Sequence, residues 1–197
     1  MNAIKFIQDN GVDKAREVVE GAPDKTATHY VFRKIPSYYS VEFQSWYYDG
    51  EWLDSDCYTE QDLIDSYGSD FVVNLSDLKN LIANIDSQIA IKFIKEWGDD
   101  YSKKYIALSE SEGNILPWEL SLKRLVESVD LVKKHGGLFA TKCQLDKGGT
   151  DFEWYGENGE FGLTDLDDLK QAIADYESIY SIPESVRQAI LNLEMHL

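Results

Sequence analysis

The longest regular pattern of apolar positions in this chain runs over residues 74–98. Apolar side chains recur there at intervals of three and four, which places them on one stripe of an α-helix. Asn74 or Ser76 is suited to cap the start of this helix, and Gly98 is suited to the left-handed turn that ends it. The stripe consists of Leu78, Leu81, Ile82, Ile85, Ile89, Phe93 and Trp97.

The chain before this helix changes between helical and strand patterns. Stretches rich in β-branched and aromatic residues favour strands, and Asp49-Gly50 predicts a tight hairpin turn. The predicted elements are a helix over 4–19 that Gly11 interrupts, strands over 28–34, 38–48, 51–53 and 71–73, and a short acidic helix from Thr59 to Gly68.

The chain after the long helix gives a similar order of elements. Residues 99–114 form a variable segment without a predicted element, and Pro117 is well placed as the first residue of a helix. The following predicted elements are that helix up to Gly136-Gly137, strands over 138–145, 152–155 and 160–163 with a tight turn at Asn158-Gly159, a helix capped by Thr164 or Asp165, and a last helix from Pro183 that buries Val186, Ile190 and Leu193.

Both halves of the chain therefore contain a helix, an aromatic hairpin and a second helix. The sequence predicts an α+β fold of two helix–β-hairpin–helix units, with antiparallel strands and a C-terminal helix. The units are 1–98 and 99–197, packed as two domains or as one. The pattern leaves open whether the chain duplicates an αββα unit or whether two sets of amphipathic helices merely use the same residue types.

The charge of the chain limits its partners. It has 19 basic and 36 acidic residues, which gives a net charge of −17 and a pI near 4.4. Such a charge opposes direct binding to a nucleic-acid backbone or to an anionic membrane surface. The early charges Lys5 and Asp9 do not fit a secretory signal, and Cys57 and Cys143 are too few for a disulfide framework. We expect a cytoplasmic protein.

The acidic residues gather in two windows that lack Lys and Arg. One window lies between Lys34 and Lys79, and the other lies between Lys147 and Lys170. Each window contains a predicted hairpin and the start of the following helix. We predict that the partner-binding residues are Glu42, Asp49, Glu51, Trp52, Asp54, Asp56, Tyr58, Glu60, Asp62, Asp65, Asp151, Glu153, Glu157, Glu160, Asp165, Asp167 and Asp168.

Two interpretations fit these windows. The first is a solvated acidic face that keeps the protein soluble, since carboxylates in the first turn of a helix are also favoured by its dipole. The second is a rigid set of carboxylates that imitates nucleic-acid phosphates and occupies the basic cleft of another protein. Aromatic side chains would add the anchors of a protein interface; the candidates are Tyr48, Trp52, Tyr58 and Tyr67.

No catalytic or metal site is predicted. The chain lacks the nucleophile-elbow, phosphate-loop, dinucleotide-binding and zinc-protease motifs, and its three histidines are isolated. Cys143 and His135 have no marked third partner, so a structural Cys and a helix-end His are the expected roles. Residues 54–60 space oxygen donors at twos but lack the central Gly and final Glu of a calcium loop. We expect neither an enzyme nor a cofactor.

Several short segments resemble accessory proteins from the early regions of tailed enterobacterial phages. The segments are Met-Asn-Ala-Ile-Lys-Phe-Ile-Gln-Asp-Asn at the start of 1–23, Leu-Ser-Asp-Leu-Lys over 75–79, Leu-Lys-Arg-Leu-Val-Glu-Ser-Val-Asp over 122–130, and Ala-Ile-Ala-Asp-Tyr-Glu over 172–177. The resemblance implies a phage or prophage origin and a location in the host cytoplasm. It supplies no catalytic residues. Because small acidic phage proteins often disarm host defence complexes, it also favours the nucleic-acid mimic.

The sequence therefore predicts a non-enzymatic protein that binds and inhibits a host nucleic-acid-binding protein, such as a defence or restriction component. The contact would be made with the basic surface of that host protein. An adaptor or assembly module that acts through Trp and Tyr patches is the main alternative. A hydrolase that uses clustered carboxylates with Mg²⁺ is a third class, and it would require converging acids in a cleft.

Overall fold

The chain folds into two compact units, Met1–Ile85 and Asp86–Leu197. A computed structural model describes residues 2–33, 35–113, 115–155 and 160–180. The boundary between the units lies inside the long central helix, Leu75–Trp97. The sequence places this boundary at residue 98, after the end of that helix. None of the helices in the described residues combines the length and the apolar character of a membrane-spanning segment.

The first unit is built around a five-stranded antiparallel sheet. Its strands are ordered β4-β3-β2-β1-β5. Its elements are α1 (Ala3–Asn10), α2 (Val12–Glu20), β1 (His29–Val31), β2 (Ser37–Ser40), β3 (Ser45–Tyr48), β4 (Glu51–Asp54), α3 (Glu60–Tyr67), β5 (Val72–Asn74) and the first turns of α4 (Leu75–Trp97).

Helices cover both faces of this sheet. Because neighbouring residues on a strand point to opposite faces, Tyr30 and Val31 enter different cores. One core joins the sheet to α1, α2 and the start of α4, and it contains Phe6, Ala15, Val18, Tyr30, Val73, Leu78 and Ile82. The other core joins the sheet to α3, and it contains Val31, Tyr39, Cys57, Leu63 and Val72.

Several local predictions in this unit are confirmed. Gly11, with φ +84°, separates α1 from α2. Asp49 and Gly50 both have positive φ, 50° and 91°, as a tight hairpin turn requires. Asn74 caps α4 by accepting the backbone N–H groups of Ser76 and Asp77 at 2.9 and 3.2 Å. The acidic helix α3 begins after Thr59 and ends before Gly68.

The prediction of one strand over residues 38–48 is wrong. The structure places a turn at residues 41–44, between β2 and β3. Two serine side chains stabilise this turn, because Ser40 Oγ accepts the N–H of Phe43 and Ser45 Oγ donates to the Phe43 carbonyl. Local side-chain bonds of this kind compete with strand pairing, and Gln44 completes the reversal with φ 52°.

The second unit packs helices around an apolar core and adds a two-stranded antiparallel hairpin. It contains the rest of α4, α5 (Asp99–Glu112), α6 (Pro117–Lys134), α7 (Leu138–Asp146), β6 (Asp151–Tyr155), β7 (Phe161–Asp165) and α8 (Leu166–Tyr180). Its largest core cluster consists of Ala90, Ile94, Ile106, Leu122, Leu125, Val126, Val129 and Ile179.

Two predictions in this unit are wrong. Residues 138–145, predicted as a strand, lie in α7, and the variable segment 99–114 contains α5. Gly136 and Gly137 reverse the chain with φ 87° and 90°, and the Thr141 hydroxyl then donates to the Gly137 carbonyl at 2.8 Å, one helical turn away. The start of α6 at Pro117 is confirmed, and so is the cap of α8, where Asp165 accepts the N–H of Asp168 at 2.8 Å.

The α+β class with antiparallel strands is confirmed, and each unit contains a hairpin that is followed by a helix. The last described helix is α8. In the described residues the units differ in strand number, five against two. The predicted turn at Asn158-Gly159 and the predicted helix from Pro183 lie outside the described residues.

The buried stripe of α4 differs from the predicted one. Leu78 and Ile82 enter the core of the first unit as expected. Beyond Ile85 the buried residues are Asp86, Ala90 and Ile94, whereas Ile89 and Trp97 are about half exposed, at 44% and 53%. The last turns of the helix serve the core of the other unit, so a different face is buried there.

Candidate protein-binding surfaces

The first acidic window contains a stretch of chain with many exposed carboxylates, which we call the acidic edge (residues 49–65). It starts at the β3–β4 turn, follows the edge strand β4 and ends on α3. Its exposed carboxylates are Asp49, Glu51, Asp54, Asp56, Glu60 and Asp65, and Glu42 is exposed on the preceding turn.

A set of hydrogen bonds holds the segment between β4 and α3. Ser55 Oγ accepts the indole N–H of Trp46 at 3.0 Å and the backbone N–H of Cys57 at 3.1 Å. The hydroxyl of the fully buried Tyr39 donates to the Cys57 carbonyl. Because Ser55 and Cys57 point inward, the alternate residues Asp54, Asp56 and Tyr58 are exposed. The carboxylates are therefore presented from an anchored segment.

The start of α3 is fixed by a capping box. Thr59 Oγ1 accepts the N–H of Asp62 at 3.2 Å, and Asp62 Oδ2 accepts the N–H groups of Tyr58 and Thr59 at 2.9 Å each. These hydrogen bonds hold the pKa of Asp62 below its usual value, and the bond from the Tyr58 N–H has the largest effect. Leu63, in the first turn of α3, is fully buried against the sheet. Because its carboxylate and its N–H complete the capping box, Asp62 has a structural role as well as a charge.

Most carboxylates of the acidic edge have no cationic partner. Among the described residues, Glu51, Asp54 and Asp56 form no ion pair, and neither do Glu42, Asp49 and Asp65. The basic residues of the second unit are different, since five of them pair with carboxylates. Lys103, Lys123, Lys133 and Lys142 form side-chain ion pairs, and Arg124 reaches Asp175 at 3.4 Å.

These four lysines and one arginine neutralise much of the acid around them, whereas the acidic edge keeps its charge. One carboxylate of the acidic edge, that of Glu60, lies close to a basic side chain: its Oε1 atom is 3.5 Å from Nε2 of His29. Burial lowers the pKa of His29, although Glu60 opposes that change. A neutral His29 leaves the charge of Glu60 uncompensated, so the start of α3 remains negative at neutral pH.

The four predicted aromatic anchors divide into two pairs. Tyr48 and Tyr58 are exposed, at 61% and 58%. Trp52 is half-buried against Tyr47, with ring centroids 5.4 Å apart, and its indole N–H donates to Asp24 at 3.2 Å. Tyr67 is likewise half-buried, 5.2 Å from the Trp46 ring. Of the four predicted anchors, Tyr48 and Tyr58 are therefore the accessible ones.

The second acidic window forms the outward face of the β6–β7 hairpin and the start of α8. The strand register places Asp151 opposite Asp165, Glu153 opposite Leu163, and Tyr155 opposite Phe161. All six of these side chains are exposed. Glu160, Asp167 and Asp168 are exposed as well, and Glu157 lies outside the described residues.

Both ring nitrogens of His135 contact polar side chains of the second unit. His135 is buried, and its Nδ1 and Nε2 atoms lie 2.7 Å from Gln144 Oε1 and 3.1 Å from Thr164 Oγ1. Cys57 and Cys143 are free thiols. In the described parts of the chain, no group of three or more His, Cys, Asp and Glu side chains is arranged to hold a metal ion.

An aromatic cluster in the second unit was not predicted. Trp97 and Tyr101 are stacked with ring centroids 5.2 Å apart, and Tyr105 and Trp118 are stacked at 5.9 Å. Phe93 contacts all four rings at 5.0 to 6.5 Å. The sequence contains a signal for this cluster, an aromatic residue at every fourth position from 93 to 105. The spacing was not recognised because Gly98 ends α4 in the middle of it.

A comparison with known protein families, with characterised protein sequences and with solved structures found no match for this chain. Its function must therefore be inferred from its own surfaces. These are the acidic edge, the outward face of the β6–β7 hairpin, and the aromatic cluster around Phe93.

Proposed function

We propose that this chain is a non-enzymatic phage or prophage accessory protein that binds and inhibits a host nucleic-acid-binding protein. The target would be a defence or restriction component with a basic surface. The observation that carries this proposal is the acidic edge, whose carboxylates are exposed, anchored and largely without ion pairs among the described residues. In this role the protein takes the place of nucleic acid and does not bind nucleic acid itself.

Two exposed carboxylates extend the acidic edge onto α3. Glu60 and Asp65 are both exposed in the first turns of this helix. Asp62 contributes less to the surface, because it is half-buried and accepts the backbone N–H groups of Tyr58 and Thr59. Glu51, Asp54 and Asp56 lie two or three positions apart, about 7 to 10 Å in an extended chain. The proposal therefore depends on exposed charge along the whole acidic edge.

Uncompensated charge also favours fast capture of a basic partner. A surface with one sign of charge attracts its partner before contact and raises the association rate, an effect that weakens with ionic strength. At about 0.15 M salt the Debye length is about 8 Å. We therefore expect association to slow strongly between about 50 and 500 mM salt.

The proposal is tested by affinity capture of the tagged full chain from a host lysate, with identification of the bound protein. The test variant carries Glu42→Lys, Glu51→Lys, Asp54→Lys and Asp56→Lys, all at exposed positions. We expect it to fold normally and to lose the partner, because the basic cleft would then meet like charge.

A matched control separates a local surface from net charge. The control carries four exposed substitutions outside both acidic windows, Glu96→Lys, Asp100→Lys, Glu112→Lys and Glu127→Lys. Both variants change the net charge by the same amount. The control should retain the partner. Retention by the test variant, or equal loss from both variants, would refute a specific acidic edge.

The aromatic cluster favours a second function, that of a protein–protein adaptor. Trp97 and Tyr101 are stacked yet 53% and 49% exposed, and such side chains are common at protein interfaces. An adaptor of this kind would keep its partner in about 500 mM salt. Trp97→Ala with Tyr101→Ala would release that partner, whereas the acidic-edge variant would retain it.

A further inference from the structure

The outward face of the β6–β7 hairpin combines an exposed apolar patch with carboxylates. Tyr155, Phe161 and Leu163 are exposed by 70%, 56% and 60%. Tyr155 and Phe161 are directly opposite each other, with ring centroids 5.3 Å apart. Leu163 follows Phe161 by two residues, so it lies on the same face. The three side chains therefore form one contiguous patch.

The opposite face of this hairpin is already packed. Phe152 and Thr164 are buried, and the Thr164 hydroxyl contacts the His135 ring. The Trp154 ring lies over Gly162 and is approached by the Lys134 ammonium at 4.4 Å from the ring centroid. Since these contacts fix which face points inward, the apolar patch is held outward by the fold itself.

The charge around the patch indicates what can cover it. Asp151, Glu153 and Asp165 share the outward face with the three apolar side chains. The described part of that face has no Lys or Arg. A second copy of the same face would bring like charges together, which is destabilising. A surface with apolar groups and cations fits both features at once.

We infer that this face docks a segment of a partner protein in which apolar side chains adjoin Lys or Arg side chains. The inference rests on the proposed function for the basic character of the partner, and it adds an apolar contact that a mimic of phosphate alone would lack. Tyr155, Phe161 and Leu163 supply the apolar contact. Asp151, Glu153 and Asp165 pair with the cations.

The test uses a labelled probe peptide of three leucines followed by three lysines, blocked at both ends. A second peptide has serines in place of the leucines. Fluorescence anisotropy with the full chain at about 150 mM salt should show at least tenfold tighter binding of the leucine peptide. Phe161→Ser with Leu163→Ser should remove that preference, because the apolar contact is lost while the charge stays the same.

Two further variants locate the site. Tyr48→Ser with Leu53→Ser removes exposed apolar side chains from the β3–β4 hairpin and should leave the preference unchanged. Asp151→Asn, Glu153→Gln and Asp165→Asn together should weaken both peptides, and Asn at 165 retains an oxygen to cap α8.

Several outcomes would overturn the inference. One is equal binding of the two peptides, and another is an unchanged preference in the Phe161→Ser, Leu163→Ser variant. A third is a dimer in sedimentation equilibrium that this variant abolishes, because the occupant of the face would then be a second copy of the chain. The proposed function fails separately, through the lysate capture with the acidic-edge variant. Loss of the peptide preference with intact capture contradicts only this inference.

Discussion

Neutralising the carboxylates of β4 and the following segment should not destabilise the fold. In the variant Glu51→Gln, Asp54→Asn and Asp56→Asn, three exposed groups without ion pairs among the described residues lose their charge. Because these carboxylates form no ion pair that the substitutions would break, the main change is the loss of the repulsion among the three charges. We expect the free energy of unfolding to stay the same or to rise slightly.

The size of this repulsion follows from the spacing. Asp54 and Asp56 are about 6.6 Å apart if the chain is extended, and Glu51 and Asp54 are about 10 Å apart. In water these distances give about 0.6 and 0.4 kcal/mol, which screening at 0.15 M salt reduces to roughly 0.3 and 0.1 kcal/mol. The expected gain is about 0.4 kcal/mol. At about 0.01 M salt the same arithmetic gives roughly 0.8 kcal/mol.

Urea unfolding followed by tryptophan fluorescence at the two salt concentrations measures this gain. The control is Asp62→Ala, which removes the carboxylate that accepts the N–H groups of Tyr58 and Thr59. It should lower the free energy of unfolding, because the capping box loses one of its two reciprocal bonds. A loss above about 1 kcal/mol in the triple variant would refute the reasoning, because it would show that these carboxylates hold the fold together.

Three further predictions concern the core, the pH dependence and the second hairpin. Leu63→Ala, at a fully buried position, should lower the free energy of unfolding by about 2–5 kcal/mol in urea, whereas the exposed Leu53→Ala should change it by less than about 0.5 kcal/mol. Burial lowers the pKa of His29, so the unfolded chain binds its proton more readily; the melting temperature should fall as the pH drops below about 6.5, and His29→Gln should reduce that fall. Gly162→Ala places a Cβ against the Trp154 ring, so overpacking should cost about 1–3 kcal/mol in urea unfolding, whereas an unchanged stability would contradict this close packing.

Local signals in the sequence predicted much of the first unit. The Asp49-Gly50 turn, the start of the acidic helix at Thr59 and the Asn74 cap each depend on a few neighbouring residues, and the structure confirms all three. The prediction for residues 138–145 failed because a short apolar run has no period that separates a strand from a buried helix. The helix over 99–112 was missed because it buries little, with only Ser102 and Ile106 buried.

The candidate surfaces depended on the sequence to different degrees. The absence of Lys and Arg between residues 34 and 79 was enough to predict the acidic edge. Composition did not separate the exposed Tyr48 and Tyr58 from the half-buried Trp52, since an aromatic residue suits a core as well as an interface. The apolar patch at Tyr155 became visible only when the strand register placed Phe161 opposite it.

The sequence by itself determined the α+β class, the caps and tight turns, and the segregation of acidic from basic segments. These features depend on residues that are close together along the chain. Tertiary structure decided which face of each element is buried. Ala90 and Ile94 replace Ile89 and Trp97 in the core because the helix from Leu75 to Trp97 meets partners from two different units. Burial depends on partners that are distant along the chain, so no local pattern in α4 specifies where its buried face changes.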